Sequence, residues 1–149
     1  MEVENPISTV GPRLSINDII WYFYGFDIDA PKDLVNFLAK ANGGRPDRIQ
    51  MSIQNHWDGT DNFVSLWGIK HPEPNLSYGE NLRNFRHYVI QGLVPFGAAD
   101  SGSLVCISIR PNDLGQIYYI DITEADPNGT KQKSWWVAKN LVKFIIALK

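Results

Sequence analysis

Within six residues the chain carries three groups able to hold a cation or pass a proton: His56, Asp58 and Asp61. Imidazole and carboxylate are common metal ligands, but each metal demands a ligand spacing, and this one matches no known ligand loop. The remaining histidines, His71 and His87, add no close ligand pair. Cys106 is the only cysteine, which excludes a cysteine zinc site and an internal disulfide framework. It lies in the apolar run Leu104-Val105-Cys106-Ile107, where a thiol behaves as a small hydrophobe rather than a nucleophile. No Gly-x-Gly-x-x-Gly, phosphate loop or Gly-x-Ser-x-Gly elbow occurs. A Ser-His-Asp set can be assembled on paper from scattered residues, and only geometry decides it. The residues thus carry no catalytic signature and imply no cofactor and no metal.

What stands out instead is side chains suited to contact. His56, Trp57 and Asp58 fall in one polar loop and Tyr78 in another. Aromatic groups in polar loops bury a large area with few rotors to freeze, so they anchor partner surfaces. Trp57 has a second reading, as a lid folded back on the core. Trp135 and Trp136 are adjacent, so at most one faces fully inward and the other is free for binding.

The 149 residues suit one domain with a sizeable core, and 44% hydrophobic with 20% charged is ordinary globular composition. A net charge of −2 gives no broad basic field for a nucleic-acid backbone. The charge is uneven along the chain. Residues 97–130 hold Asp100, Asp113, Asp121, Glu124 and Asp126 against Arg110 alone, while the last nineteen residues hold five lysines and no acid. Solvated faces are one reading; an acidic face for a basic partner is the other. The single cysteine favours a cytoplasmic setting. The opening residues lack a signal-peptide layout, and no apolar run approaches the length needed to span a bilayer.

The elements that must position these groups are legible in outline. Residues 1–14, with Pro6, Gly11 and Pro12, read as an irregular lead-in to a domain over 15–149. Ser15 and Asp18 form a capping box for a helix ending at Gly25, apolar on several sides and so expected to be covered on more than one. A second helix follows Asp29 as cap, buries Leu34, Phe37, Leu38 and Ala41, and stops at Asn42-Gly43-Gly44. Residues 48–53 and 62–69 read as strands, the latter apolar on both faces and so central. A third helix is expected over 79–91 and a last one beginning at Ser134, with Val137, Leu141, Phe144, Ile145 and Leu148 inward. Between them, a strand through Leu104–Ile109 and a second over 116–122 are joined by Pro111-Asn112-Asp113-Leu114-Gly115, whose residue types tight turns select. This hairpin anchors the rest.

Three stretches together resemble the SMI1/KNR4 family, also called the SUKH superfamily. They are Pro31-Lys32-Asp33-Leu34-Val35-Asn36-Phe37-Leu38-Ala39-Lys40-Ala41-Asn42-Gly43-Gly44, Leu93-Val94-Pro95-Phe96-Gly97 with Asp100-Ser101-Gly102, and Ile117-Tyr118-Tyr119-Ile120-Asp121 with the closing helix. The family often has a second glycine where Ser101 stands. The resemblance implies a single α+β domain, a central, mainly antiparallel sheet flanked by helices. It implies a binding role without catalysis: bacterial members are commonly immunity proteins that neutralise a toxin domain by binding it, and fungal members regulate cell-wall synthesis. A nuclease toxin has a basic site, and Asp58, Asp61, Asp100, Asp121, Glu124 and Asp126 would supply the complementary acids. An immunity protein, a regulatory interaction module and a small-ligand carrier or enzyme are the three readings, in that order.

Overall fold

In the computed structural model, residues 5–56, 58–121 and 134–149 are described. Helix α1 spans Ile16–Tyr24 and begins with the expected capping box: the Asp18 amide donates to Ser15 Oγ (3.1 Å) and the Ser15 amide to the Asp18 carboxylate (3.4 Å). Only Ile19 and Phe23 are buried. The expectation that α1 is covered on several sides is therefore corrected. Two apolar stripes run along it, one step of about 100° apart: Ile19 and Phe23 face the core with Tyr22 half-buried beside them, while Ile16, Ile20 and Tyr24 stay exposed.

Helix α2, Lys32–Lys40, buries Leu34, Val35 and Leu38 and packs on α1. Its cap is Pro31 with no side-chain hydrogen bond, not Asp29; the fixed φ of −59° pre-sets the first turn. After α2 the chain turns through Gly43 (φ +77°) and Gly44 (φ +130°). The lead-in is less irregular than expected. Its strand β1, Ile7–Ser8, pairs with β2, Arg45–Pro46, and the buried Asn5 side chain donates to the carbonyls of Arg48 and Ile145.

The core sheet has six strands among the described residues, each antiparallel to the next and in chain order: β3 (Gln50–Ser52), β4 (Thr60–Leu66), β5 (Leu93–Ala99), β6 (Leu104–Ser108), β7 (Ile117–Ile120) and β8 (Ser134–Ala138). The α+β reading holds. β6, anchor of the sequence analysis, is buried along its whole length. Helix α5, Leu141–Ala147, covers the sheet, with Phe144 edge-on to Phe63 (5.1 Å) and Phe96 (6.0 Å).

Two expected helices differ. Residues 79–91 form two short ones, α3 (Tyr78–Asn84) and α4 (His87–Ile90), broken at Phe85, whose φ of −120° leaves the helical range. Ser134 begins strand β8 rather than a helix, and Asn140 caps α5, accepting from the Lys143 amide at 2.9 Å. The aromatic and β-branched run Trp135-Trp136-Val137 suits a pleated surface, and Val137 matched the helical stripe by coincidence.

The β6–β7 turn is locked by Asp113. Its carboxylate accepts from Ser108 Oγ (2.5 Å), from the Arg110 guanidinium (2.6 and 3.1 Å) and from the Tyr118 hydroxyl (2.6 Å). Burial alone would raise this carboxyl, but the donors outweigh it and hold it at about 2. The folded state thus favours the ionised form, so its contribution is complete above the ordinary carboxylate range and is lost as pH falls from about 4 toward 2. Carbon-detected NMR titration is expected to place the Asp113 midpoint near 2 and to move it upward in Arg110→Ala; an unmoved midpoint would remove the guanidinium from this account.

Candidate binding surface at one end of the sheet

Antiparallel succession dictates where the connections fall. β3 leaves at Ser52 and β4 starts at Thr60; β5 leaves at Ala99 and β6 starts at Leu104; β7 leaves at Ile120 and β8 starts at Ser134. These three connections therefore join strand ends that lie at the same end of the sheet. The first turns through Asn55 (φ +64°) and Gly59 (φ +75°), the second through Gly102 (φ +90°).

Of the acids picked from the sequence, Asp58, Asp61, Asp100 and Asp121 fall at this end. Asp58 and Asp100 are exposed. Asp61, half-buried, accepts from the Tyr119 hydroxyl (2.7 Å) and from Ser101 Oγ (2.5 Å), so two strands and a turn share one carboxylate. Burial first, then the hydrogen bond to Asp61 and its charge, push the Tyr119 phenol up to about 12 despite opposing serine contacts; it stays a donor across physiological pH. The Asp100 amide donates to the Asn62 carbonyl (2.8 Å), pinning the turn beside β4.

His56 and Asp121 lie beneath this rim. The His56 Nε2 to Asp121 Oδ2 distance is 2.8 Å and both side chains are buried. The Asp58 amide donates to His56 Nδ1 (3.1 Å). That bond requires Nδ1 to lack a proton, which places the ring proton on Nε2, facing the Asp121 carboxylate. The ring stands edge-on to Tyr119 (5.3 Å) and Trp135 (4.7 Å). His56 and Asp121 were expected at a partner surface; instead they form a buried brace that ties the β3–β4 connection to the end of β7.

Tyr78 is also corrected. It begins helix α3 rather than lying in a loop, is fully buried against Phe23 (5.1 Å) and Trp67 (5.8 Å), and donates to the Pro95 carbonyl (2.6 Å). It presents no surface and takes no part in this end. Trp57, Glu124 and Asp126 lie outside the described residues. Trp135 and Trp136 alternate on β8: Trp135 packs on His56, while Trp136 is exposed and donates to Gln116 Oε1 (2.7 Å). Tyr119 and Ser101 were missed as members of this end. Their signal is cross-strand register, which pairs Val105 with Tyr119 and appears only once the sheet is formed.

The chemistry available here is recognition by charge and hydrogen bonding. His56, Asp58 and Asp61 do not converge: one is buried on Asp121, one is exposed and one is held by Tyr119. Among the described residues no group of three or more His, Cys, Asp or Glu side chains is placed to hold a metal. Burial pushes the Cys106 thiol far up, away from any thiolate role. Also among the described residues, no helix is long and apolar enough to cross a membrane.

Fold and surface together define an α+β domain built on an antiparallel meander with an acid-bearing rim at one end. The family model for SMI1/KNR4 (SUKH-1) matches residues 20–146, and the chain belongs to that family. No curated protein matches the sequence.

Proposed function

We propose that the protein is a binding module whose acidic sheet end takes the basic surface of a protein partner, and that this partner is a toxin domain neutralised by one-to-one binding. The observation that carries the reading is the gathering of Asp58, Asp61 and Asp100 on connections that hold no lysine or arginine over 53–61 and 99–104. The third connection adds Glu124 and Asp126 in sequence, with Lys131 and Lys133 at its far end. Aligned acids raise the encounter rate with a basic site and disfavour acidic competitors. A nuclease, whose site must attract phosphates, has that basic surface. Membership of the SMI1/KNR4 family supports a binding role of this kind.

The test is rescue. The C-terminal domain of the product encoded immediately upstream is expressed in a tester bacterium with and without this protein. Killing that this protein alone reverses is the expected result. A harmless neighbour, or killing that persists, would remove the toxin and turn the search to a regulatory partner. With a partner in hand, the pair Asp58→Lys and Asp100→Lys is expected to weaken binding about 10–100-fold, mostly through the association rate and more at low salt. Surface plasmon resonance reads both, and an unchanged rate constant would take these acids out of the interface.

A further inference from the structure

Helix α1 carries the largest aromatic exposure among the described residues, and none of those residues covers it. Ile16, Ile20 and Tyr24 recur every four residues on one stripe, with Trp21 beside them; they are 47%, 37%, 56% and 74% exposed. The Trp21 and Tyr24 rings lie 5.8 Å apart, so the four side chains make one continuous surface. A groove of about 360 Å³ separates this stripe from α2, floored by Ile28 and Val35. With ~200 Å² per side chain, these exposures leave about 400 Å² of mostly apolar surface, the size of the largest patch an ordinary monomer shows. Two such faces, with their polar rims, reach the ~1,000 Å² that a specific interface needs.

The charges around the patch say what fits it. Arg13 stands just before the N-terminus of α1 and Asp27 just past its C-terminus, both exposed. Lys40, at the end of α2, lies with Arg13, since both border one groove; Asp29 and Asp33 lie toward the Asp27 end. Asp18, in the first turn of α1, and Lys32, beside Asp29 and Asp33, offset part of this, so one end of the α1–α2 face carries a net excess of base and the other a net excess of acid. The face is complementary to its own image turned by 180°, and a parallel pairing would set like charges together. Reversed helices also oppose their dipoles favourably. The contact of Asp27 with Arg86, at 4.0 Å and highly exposed on both sides, is too weak to withhold Asp27.

We propose that the protein forms a two-fold symmetric dimer through antiparallel α1 helices, with Ile16, Ile20, Trp21 and Tyr24 of each copy packed on those of the other and Arg13 of each copy facing Asp27 of its partner. Such an isologous contact closes on itself and leaves the acidic sheet end, carried by other elements, to its own partner. The dimer goes beyond the toxin-binding reading and stands or falls without it.

Sedimentation equilibrium on the full chain across micromolar to sub-millimolar concentrations is expected to show a reversible monomer–dimer step. Ile20→Asp and Trp21→Ala are expected to return the monomer with a near-normal melting midpoint, since both side chains are exposed. Arg13→Asp alone and Asp27→Lys alone are each expected to weaken the dimer about tenfold, because each variant sets like charges at both ends. An equal mixture of the two variants is expected to recover association as a mixed dimer, with opposite charges restored at both ends. A chain monomeric throughout, a dimer indifferent to Ile20→Asp, or a mixture that does not recover would each overturn the proposal. So would a monomer that binds a synthetic basic amphipathic helix through Trp21, which would give this face to a different partner.

Discussion

Gly43→Ala is expected to lower the melting midpoint by about 10 °C or more, although it adds one methyl group. At φ +77° a side chain is already strained by about 1 kcal/mol. The new Cβ would also stand 2.4 Å from the Gly68 amide nitrogen and 2.5 Å from Gly68 Cα, both backbone atoms that no rotamer can move. Two segments would have to separate at a junction held by Asn42. Its buried amide donates to the carbonyls of Pro12 (2.7 Å) and Ile69 (2.8 Å), and its oxygen accepts from the Ile69 amide (2.8 Å). Separation strands those three backbone groups, at about 1–3 kcal/mol for each one left buried and unpaired. A total near 3–5 kcal/mol converts to roughly 10–15 °C for a chain of this size. Asn42→Ala should act through the same groups, and Asn42→Asp should cost at least as much, since it keeps the acceptor for Ile69 but sets a buried carboxylate oxygen against the Pro12 and Ile69 carbonyls. Thermal unfolding followed by circular dichroism decides it. A Gly43→Ala midpoint within about 2 °C of the parent would mean that the close approach to Gly68 does not hold this junction.

The same three residues show how far the sequence could be read. Asn42-Gly43-Gly44 was legible as a helix stop, because the residue types that accept positive φ are visible one at a time. What they dock against was not: Ile69 and Gly68 are more than twenty residues away, and nothing local marks them. The same divide runs through the rest of the chain. Strands rich in β-branched residues, such as Leu104–Ser108, stood out by composition, and the turn around Asp113 by its residue types. Ser134 was misread because Val137 happens to continue the α5 stripe backwards, and only pairing of Trp135 with Tyr119 and Trp136 with Tyr118 makes 134–138 a strand. In α1 the sequence shows apolar residues on several faces but not which face finds a neighbour. At the sheet end the acids could be assigned to connections, yet Asp58 and Asp121 are the same residue type in similar settings. Only the fold tells the exposed carboxylate from the buried one.

That distinction makes its own prediction. His56→Ala is expected to destabilise the protein by about 3–5 kcal/mol, because it takes the imidazole donor from the buried Asp121 carboxylate and opens a cavity against Tyr119 and Trp135. Asp121→Asn should cost less, since an amide oxygen can still accept from Nε2 and the shape is kept. The double variant should cost less than the two single effects added, the mark of residues that act on each other. The Asp58 amide provides a local readout. It now donates to His56 Nδ1, so its hydrogen-exchange protection should fall in His56→Ala and persist in Asp121→Asn, where the ring remains. A binding role makes the opposite forecast: an unchanged melt with lost affinity for a partner. Because both side chains are buried, the expected order is the reverse, with stability and Asp58 protection lost first and affinity changing only as the β3–β4 connection loosens. If His56→Ala melts like the parent and still abolishes binding, the brace is not structural, and His56 belongs in the interface beside Asp58 and Asp100.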